Sequence, residues 1–234
     1  MRTVLLLVLL PFFTACEAQI KTYSSRLEYG LKGAVKKVNT YGCMANNDQI
    51  PIDTTGFISK FKMTFDEPGN AIETYNVYSP IKSAGITPTS RTIYSGKGKN
   101  ISYRLLSALE EGSEKESHHQ YVWQDDYTYK IINKDDTTSS QTITLDKDFR
   151  IVKMVTESNS FNAVDVRETI YKNGRIAKVI TRSTDNADGL KNTSISIWIV
   201  KEYDQHDNPS VLYIYNNADE RQLNAVVFKT YQYY

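Results

Sequence analysis

Cysteine is nearly missing: Cys16 and Cys43 are the only two in 234 residues. With Cys16 at the end of a leader, Cys43 has no intramolecular partner, which excludes a disulfide framework. Cys43 is expected to be a small buried apolar residue. Only three histidines are present, so acid–base chemistry would fall to carboxylates. An excess of either charge is also lacking, since 28 Lys and Arg face 27 Asp and Glu. That balance excludes a nucleic-acid binder relying on a basic surface to neutralise phosphates. No G-x-S-x-G elbow, glycine-rich phosphate loop or H-E-x-x-H pattern occurs. The longest apolar run is Val4 to Phe13, far short of the roughly 20 residues a membrane-spanning helix needs. What the chain does have is enough apolar residues for a core, at 40%, and an unusual 17 tyrosines beside 8 Phe and 2 Trp. Such aromatics favour pleated, half-buried surfaces over helices.

The first eighteen residues read as an export signal: Arg2 supplies the positive start and the short apolar run follows it. Phe13-Thr14-Ala15-Cys16 resembles a bacterial lipoprotein box, with Phe13 where Leu is usual. The resemblance implies that Cys16 is acylated, becomes the new N-terminus and serves as the lipid anchor. The competing reading is ordinary cleavage after Ala18, with Cys16 and Ala18 as the small residues. Residues 19–234 read as one β-hairpin-repeat domain.

A degenerate repeat runs through that domain. In Phe65-Asp66-Glu67-Pro68-Gly69-Asn70 an aromatic ends one strand, Asp and Gly-Asn make the turn, and a second strand returns. Tyr94 to Ile101, Leu145 to Ile151, Tyr171 to Ile176 and Tyr203 to Val211 repeat this grammar, and Trp123 to Tyr127 is an eroded copy. The copies start at residues 65, 94, 123, 145, 171 and 203. One hairpin with its connections needs about that spacing. Asn173-Gly174 is the strongest turn signal of the series.

Tyr203-Asp204 and Phe65-Asp66, with Gly69-Asn70 and Gly174-Arg175, are similar to the tyrosine–aspartate (YD) repeat. Leu31 to Val38 resembles the opening strand of YD-like secreted lipoproteins of Gram-negative bacteria. The resemblance spans roughly residues 30–215. It implies an all-β fold in which the repeats build a wall and carry no catalysis themselves.

Alternation agrees with strands. Phe61, Met63 and Phe65 share a face, as do Val211, Tyr213 and Tyr215, while Ile195 to Val200 is apolar on both faces. Residues 46–56 and 79–90 read as loops. Residues 107–119 read as a polar loop with room for one helical turn. The expected fold is an antiparallel meander of repeated hairpins forming a large twisted or partly rolled sheet, with Ala225 to Tyr234 as its last, water-soluble strand packed on Val211–Tyr215.

Candidate chemistry is sparse. His118-His119 with Glu114 and Glu116 is the one cluster hinting at metal, but neighbouring strand residues point to opposite faces. Asp204, His206 and Asp207, and the pairs Asp125-Asp126 and Asp135-Asp136, fall at turns, where such residues serve the backbone. An exposed aromatic stripe would suit stacking on sugar faces. The reading is a non-catalytic cell-envelope lipoprotein, anchored at Cys16 to a membrane, most simply the outer membrane. It would act as a β-sheet scaffold for an envelope protein or glycan, without cofactor, metal or nucleic acid. The alternatives are an immunity-type protein that neutralises a toxin and a glycan-processing hydrolase.

Overall fold

The computed structural model describes residues 21–46, 49–78, 87–108 and 114–234. The leader, Cys16 and most of the 79–90 loop lie outside them. A single turn of helix, α1 (Ser25–Glu28), is followed by strands β1 (Val35–Met44), β2 (Ser59–Phe65), β3 (Ala71–Tyr78), β4 (Thr89–Lys97) and β5 (Asn100–Ala108). Next come β6 (Lys115–Trp123), β7 (Thr128–Asn133), β8 (Ser140–Leu145), β9 (Ile151–Glu157) and β10 (Phe161–Lys172). The chain ends with β11 (Arg175–Ala187), β12 (Leu190–Tyr203), β13 (Pro209–Tyr215) and β14 (Leu223–Tyr233).

Each strand pairs antiparallel with the next, and β14 returns to pair with β1, from Val35 opposite Tyr233 to Met44 opposite Ala225. The all-β antiparallel expectation holds, but the open or partly rolled sheet is corrected to a closed barrel of 14 strands. Local patterning specifies hairpins. It does not say how many of them bring the two edge strands together, and satisfying those two unpaired edges is what drives closure. β14 packs on β13 as expected, with Val211 opposite Phe228, and joins β1 as well. A second correction concerns residues 107–119: β5 runs to Ala108, and β6 already begins at Lys115. On the described part of that stretch Glu116 and His118 take the outer face of β6 and Ser117 and His119 the inner one.

Ladder register assigns the faces. Lys229, Thr40, Phe61, Asn76 and Ser90 form one row across five strands and point inward. The outer face carries Lys60, Lys62, Arg91, Arg104, Lys153, Glu168 and Arg182, several in cross-strand pairs such as Arg91–Glu73 at 2.5 Å and Arg104–Glu116 at 3.2 Å.

The repeat copies become one set of turns. Residues 66–70, 97–100, 124–127, 146–150, 173–174 and 204–208 all sit at the same end of the barrel, joining every second pair of strands. Their aspartates hold the bend. Asp66 Oδ1 accepts from the N–H groups of Gly69 and Asn70, Asp146 Oδ1 from Asp148 and Arg150, and Asp204 Oδ1 from His206 and Asn208. Asn173 (φ 53°) and Gly174 (φ 72°) form the tight β10–β11 turn. A Cβ on Gly174 would meet nothing within 4 Å, so Gly174→Val tests the backbone alone. It should cost more than about 1 kcal/mol, read as a fall in melting temperature of at least roughly 2–4 °C. An unchanged melting temperature would contradict that turn geometry.

Candidate functional site

One end of the barrel is sealed. Ser24 caps α1, its Oγ accepting from Leu27 N at 3.4 Å, and residues 21–34 cross the barrel end beneath the repeat turns. Arg26 N donates to Gly69 O, and its guanidinium to Val35 O and Glu67 O. Lys21 Nζ lies 2.5 Å from Asp148 Oδ1, Lys32 Nζ donates to Gly174 O, and Asn208 brackets Lys32 through both its backbone groups. This plug therefore touches four separate repeat turns. Above it, three apolar clusters line the inside of the wall. Tyr23 packs with Ile101, Tyr129, Ile143 and Leu145; Val35 and Val38 pack with Met63 and Phe65; Val200 packs with Leu212 and Val227.

Within the first cluster lies the carboxylate of Glu28, itself 7% exposed. It accepts hydrogen bonds from the hydroxyls of Tyr23 and, at 2.7 Å, Tyr129. Burial raises the Glu28 carboxyl above its ordinary range, and the two phenol bonds oppose that only in part.

Toward the other end, the described residues of the inner wall are largely polar. Beyond the apolar layers the inward positions are Thr40, Asn76, Ser90, Ser117, His119, Gln141, Asp165, Ser183, Ser194 and Ser196, by register with the rows already described. A barrel of this strand number is wider than the eight-stranded barrels that side chains fill, so a hollow interior is expected. Tyr29 follows α1 on the plug, with its hydroxyl shifted upward by burial and by the Glu28 charge, while 47% of its surface is accessible.

The cup's floor combines aromatics and cations. Tyr103 stacks on His119 at 4.6 Å and Tyr121 on Tyr129 at 4.5 Å. Burial pushes the Tyr103 hydroxyl up to about 12 and moves the His119 imidazole downward, favouring its neutral form. Opposite them, Arg167 of β10 and Lys229 of β14 point into the same space. Among the described residues neither forms an ion pair. Burial, reinforced by the nearby Arg167, brings Lys229 down to about 8 from its ordinary 10.5. The unfolded chain then holds a proton that the folded chain has released, so stability should rise as pH climbs from about 8 to 10.5. Lys229→Met should abolish that rise and stabilise the protein at pH 7 by about 1–2 kcal/mol, the amount reduced by water in the lumen. Calorimetric melting temperatures across this pH window measure both effects, and a Met variant melting below the wild type would contradict them.

The residues singled out from sequence are dispersed. His118 points outward, with Nδ1 3.0 Å from Asp135 and Nε2 3.3 Å from Glu116, while His119 points inward. The pair does not converge on one ion. Asp204 accepts from two turn amides and from the Tyr233 hydroxyl, and Asp207 pairs with Arg175 at 2.8 Å. These are fastenings of the plug end. Asp125 and Asp136 hold their own turns through Tyr127 N and Thr138 N. Cys43 is buried at 2%, its Sγ against Asp53 O, and burial raises its thiol above the ordinary range. Tyr213 and Tyr215 line an outer groove of about 770 Å³ with Glu220 and Arg221, but Glu220 is engaged by Lys178. Among the described residues no three His, Cys, Asp or Glu side chains gather to hold a metal ion.

Sequence reasoning missed the plug and the two lumen cations. Ser24 before Leu27-Glu28 is the local capping signal for α1. Arg167 and Lys229 gave no signal of their own. No protein-family model, curated protein or solved structure matches the chain.

Proposed function

We propose that the chain is a non-catalytic cell-envelope lipoprotein, YD-repeat-like in its hairpins, that acts as a binding scaffold with its ligand side at the open mouth of the barrel. The observation carrying this reading is the difference between the two ends among the described residues: one is crossed and fastened by the plug, and toward the other the inner wall carries hydroxyls and amides. Such groups hydrogen-bond saccharides and peptides. The outer wall favours an aqueous setting, because Lys62, Arg91, Arg104 and Arg182 on a lipid-facing wall would each cost about 2–4 kcal/mol at the bilayer midplane. The lipid attachment is then Cys16 rather than the strands. Lys21 is fixed at the sealed end, and five residues reach at most about 18 Å. Acylated Cys16 would hold the sealed end toward the membrane and turn the mouth away from it.

Two measurements test this. A fatty-acid analogue should label the wild type and not Cys16→Ser, and equal labelling of both would remove the anchor. Ser183 and Ser194 face each other inside the wall, so Ser183→Trp with Ser194→Trp fills the cup. Immobilised wild-type protein should retain envelope saccharides that the filled variant releases. Equal retention by the two would overturn the assignment of the mouth as the binding side.

A further inference from the structure

The plug does not meet the repeat turns everywhere. Between residues 22–33 and the turns at 66–70 and 97–100 lies a groove of about 750 Å³. Arg26 of α1 and Lys97 at the end of β4 stand on its walls, and among the described residues no acidic side chain lines it. Neither cation forms an ion pair with any described residue. The Arg26 guanidinium is nevertheless held in place. It donates to Val35 O at 3.2 Å and to Glu67 O at 3.0 Å. It also lies against Gly69, where a Cβ would come within 2.9 Å of its Nε. Both acceptors are backbone carbonyls, which orient a guanidinium without cancelling its charge and leave further N–H groups to donate. The neighbouring acids are spent elsewhere. Asp66 serves the amides of Gly69 and Asn70, Asp126 pairs with Lys99, and Asp148 pairs with Lys21. Glu67 meets Arg26 through its carbonyl, and its carboxylate makes no ion pair among the described residues. Beside this positive charge the wall turns apolar. Leu27 packs against the first apolar cluster and Leu31 against the second, while Thr22 and Ser24 add hydroxyls.

We propose that this groove holds an anionic phospholipid of the supporting membrane, with its phosphate between Arg26 and Lys97 and the start of its acyl chains on Leu27 and Leu31. Arg26 offers a forked donor set and Lys97 a point charge, a pairing suited to a phosphate ester. The volume fits a small amphiphilic group, and the Thr22 and Ser24 hydroxyls serve the headgroup's own hydroxyls. One lipid held this way fixes how the barrel end sits on the bilayer, which attachment through Cys16 alone does not specify. This assignment rests on the reading above that turns the sealed end toward the membrane, and it names the lipid class bound there.

Dihexanoyl phosphatidylglycerol, soluble as a monomer, is titrated against the mature chain carrying Cys16→Ser, and the melting temperature is followed. Binding to the folded state raises it. Dihexanoyl phosphatidylcholine is the control without net charge, and glycerol 3-phosphate is the headgroup anion without chains. Phosphatidylglycerol should raise the melting temperature at concentrations where the other two do not. Lys97→Glu should weaken its apparent affinity about tenfold or more. Lys62→Glu, the same charge change on the outer wall, should leave the affinity unchanged. Arg26→Gln should weaken it as well; should that variant fold poorly, the exposed Lys97 decides alone. An equal response to phosphatidylcholine would remove the role of the cations, and an equal response to glycerol 3-phosphate would make the ligand a soluble phosphate ester. Either result overturns the lipid assignment, as would no response, or equal affinities in the Lys97→Glu and Lys62→Glu variants. If the fatty-acid label reaches Cys16 and phosphatidylglycerol does not bind, the anchor stands and the groove falls; if neither occurs, both fall.

Discussion

Removing residues 225–234 should leave an unfolded or aggregated product, whereas the intact mature chain stays soluble without detergent. Strand β14 contributes Val226 and Val227, both buried, together with the half-buried Phe228, Tyr231 and Tyr233. Burying each large apolar side chain stabilises by roughly 1.5–3 kcal/mol, so losing four or five approaches the whole 5–15 kcal/mol of a typical domain. The hydrogen-bonding loss is larger still in kind, because β14 is paired on both sides. Its removal exposes the backbone of β1 and of β13 at once. Three latches go with it: the Tyr231 hydroxyl on Pro209 O, that of Tyr233 on Asp204, and that of Tyr234 on Phe65 O. Size-exclusion chromatography and near-ultraviolet circular dichroism read the outcome. A truncated chain that melts like the full one would contradict the closed barrel.

Glu28→Ala should be the most damaging single substitution in the plug. It strands the hydroxyls of Tyr23 and Tyr129 without their acceptor in the interior and opens a cavity between them. Together these effects cost about 3 kcal/mol or more, a fall in melting temperature of roughly 6–12 °C. Glu28→Gln separates charge from hydrogen bonding. The folded carboxyl titrates above its ordinary 4.5 because it is buried, so between that pH and the folded value the native state holds a proton that the unfolded chain has released. Stability should then be greatest in acid and decline as pH rises through this window. The Gln variant should lose that decline while keeping an acceptor for the phenols. A Gln variant with the wild-type slope would place the slope elsewhere.

The hairpins were legible because their information is local. Asp66, Asp146 and Asp204 bend their own turns, and Asn173-Gly174 is a two-residue signal that any neighbouring fold must accept. Closure was not legible: Val35 and Tyr233 meet across nearly the whole chain, and no window of residues records that. Closure also decides which face is the inner one. Val164 and Val166 alternate with Asp165 and Arg167, a pattern that on an open sheet puts the valines on a core and the charges in water. In the barrel the valines face outward and the charges line the lumen. Lys229 followed the same logic, since an inward lysine makes sense only once the inside is known to be hollow. The inward cations were therefore unreadable until the fold was known, even though Lys229 lies on the anticipated strand Ala225 to Tyr234.

The junction of β1 and β14 has a consequence for how the molecule comes together. Every strand from β1 to β13 pairs with the one that follows it in the chain, so those hairpins can form as soon as each segment is available. The last joint must wait for residues some two hundred positions apart, and its loop-closure entropy falls due in a single late step. Until then β1 and β13 are raw edges able to pair with any passing strand, including one from a second copy. The slowest and most aggregation-exposed stage of assembly is thus the arrival of the final ten residues. Chains caught before that step should persist as open ribbons, each lacking only the stave that completes the cask.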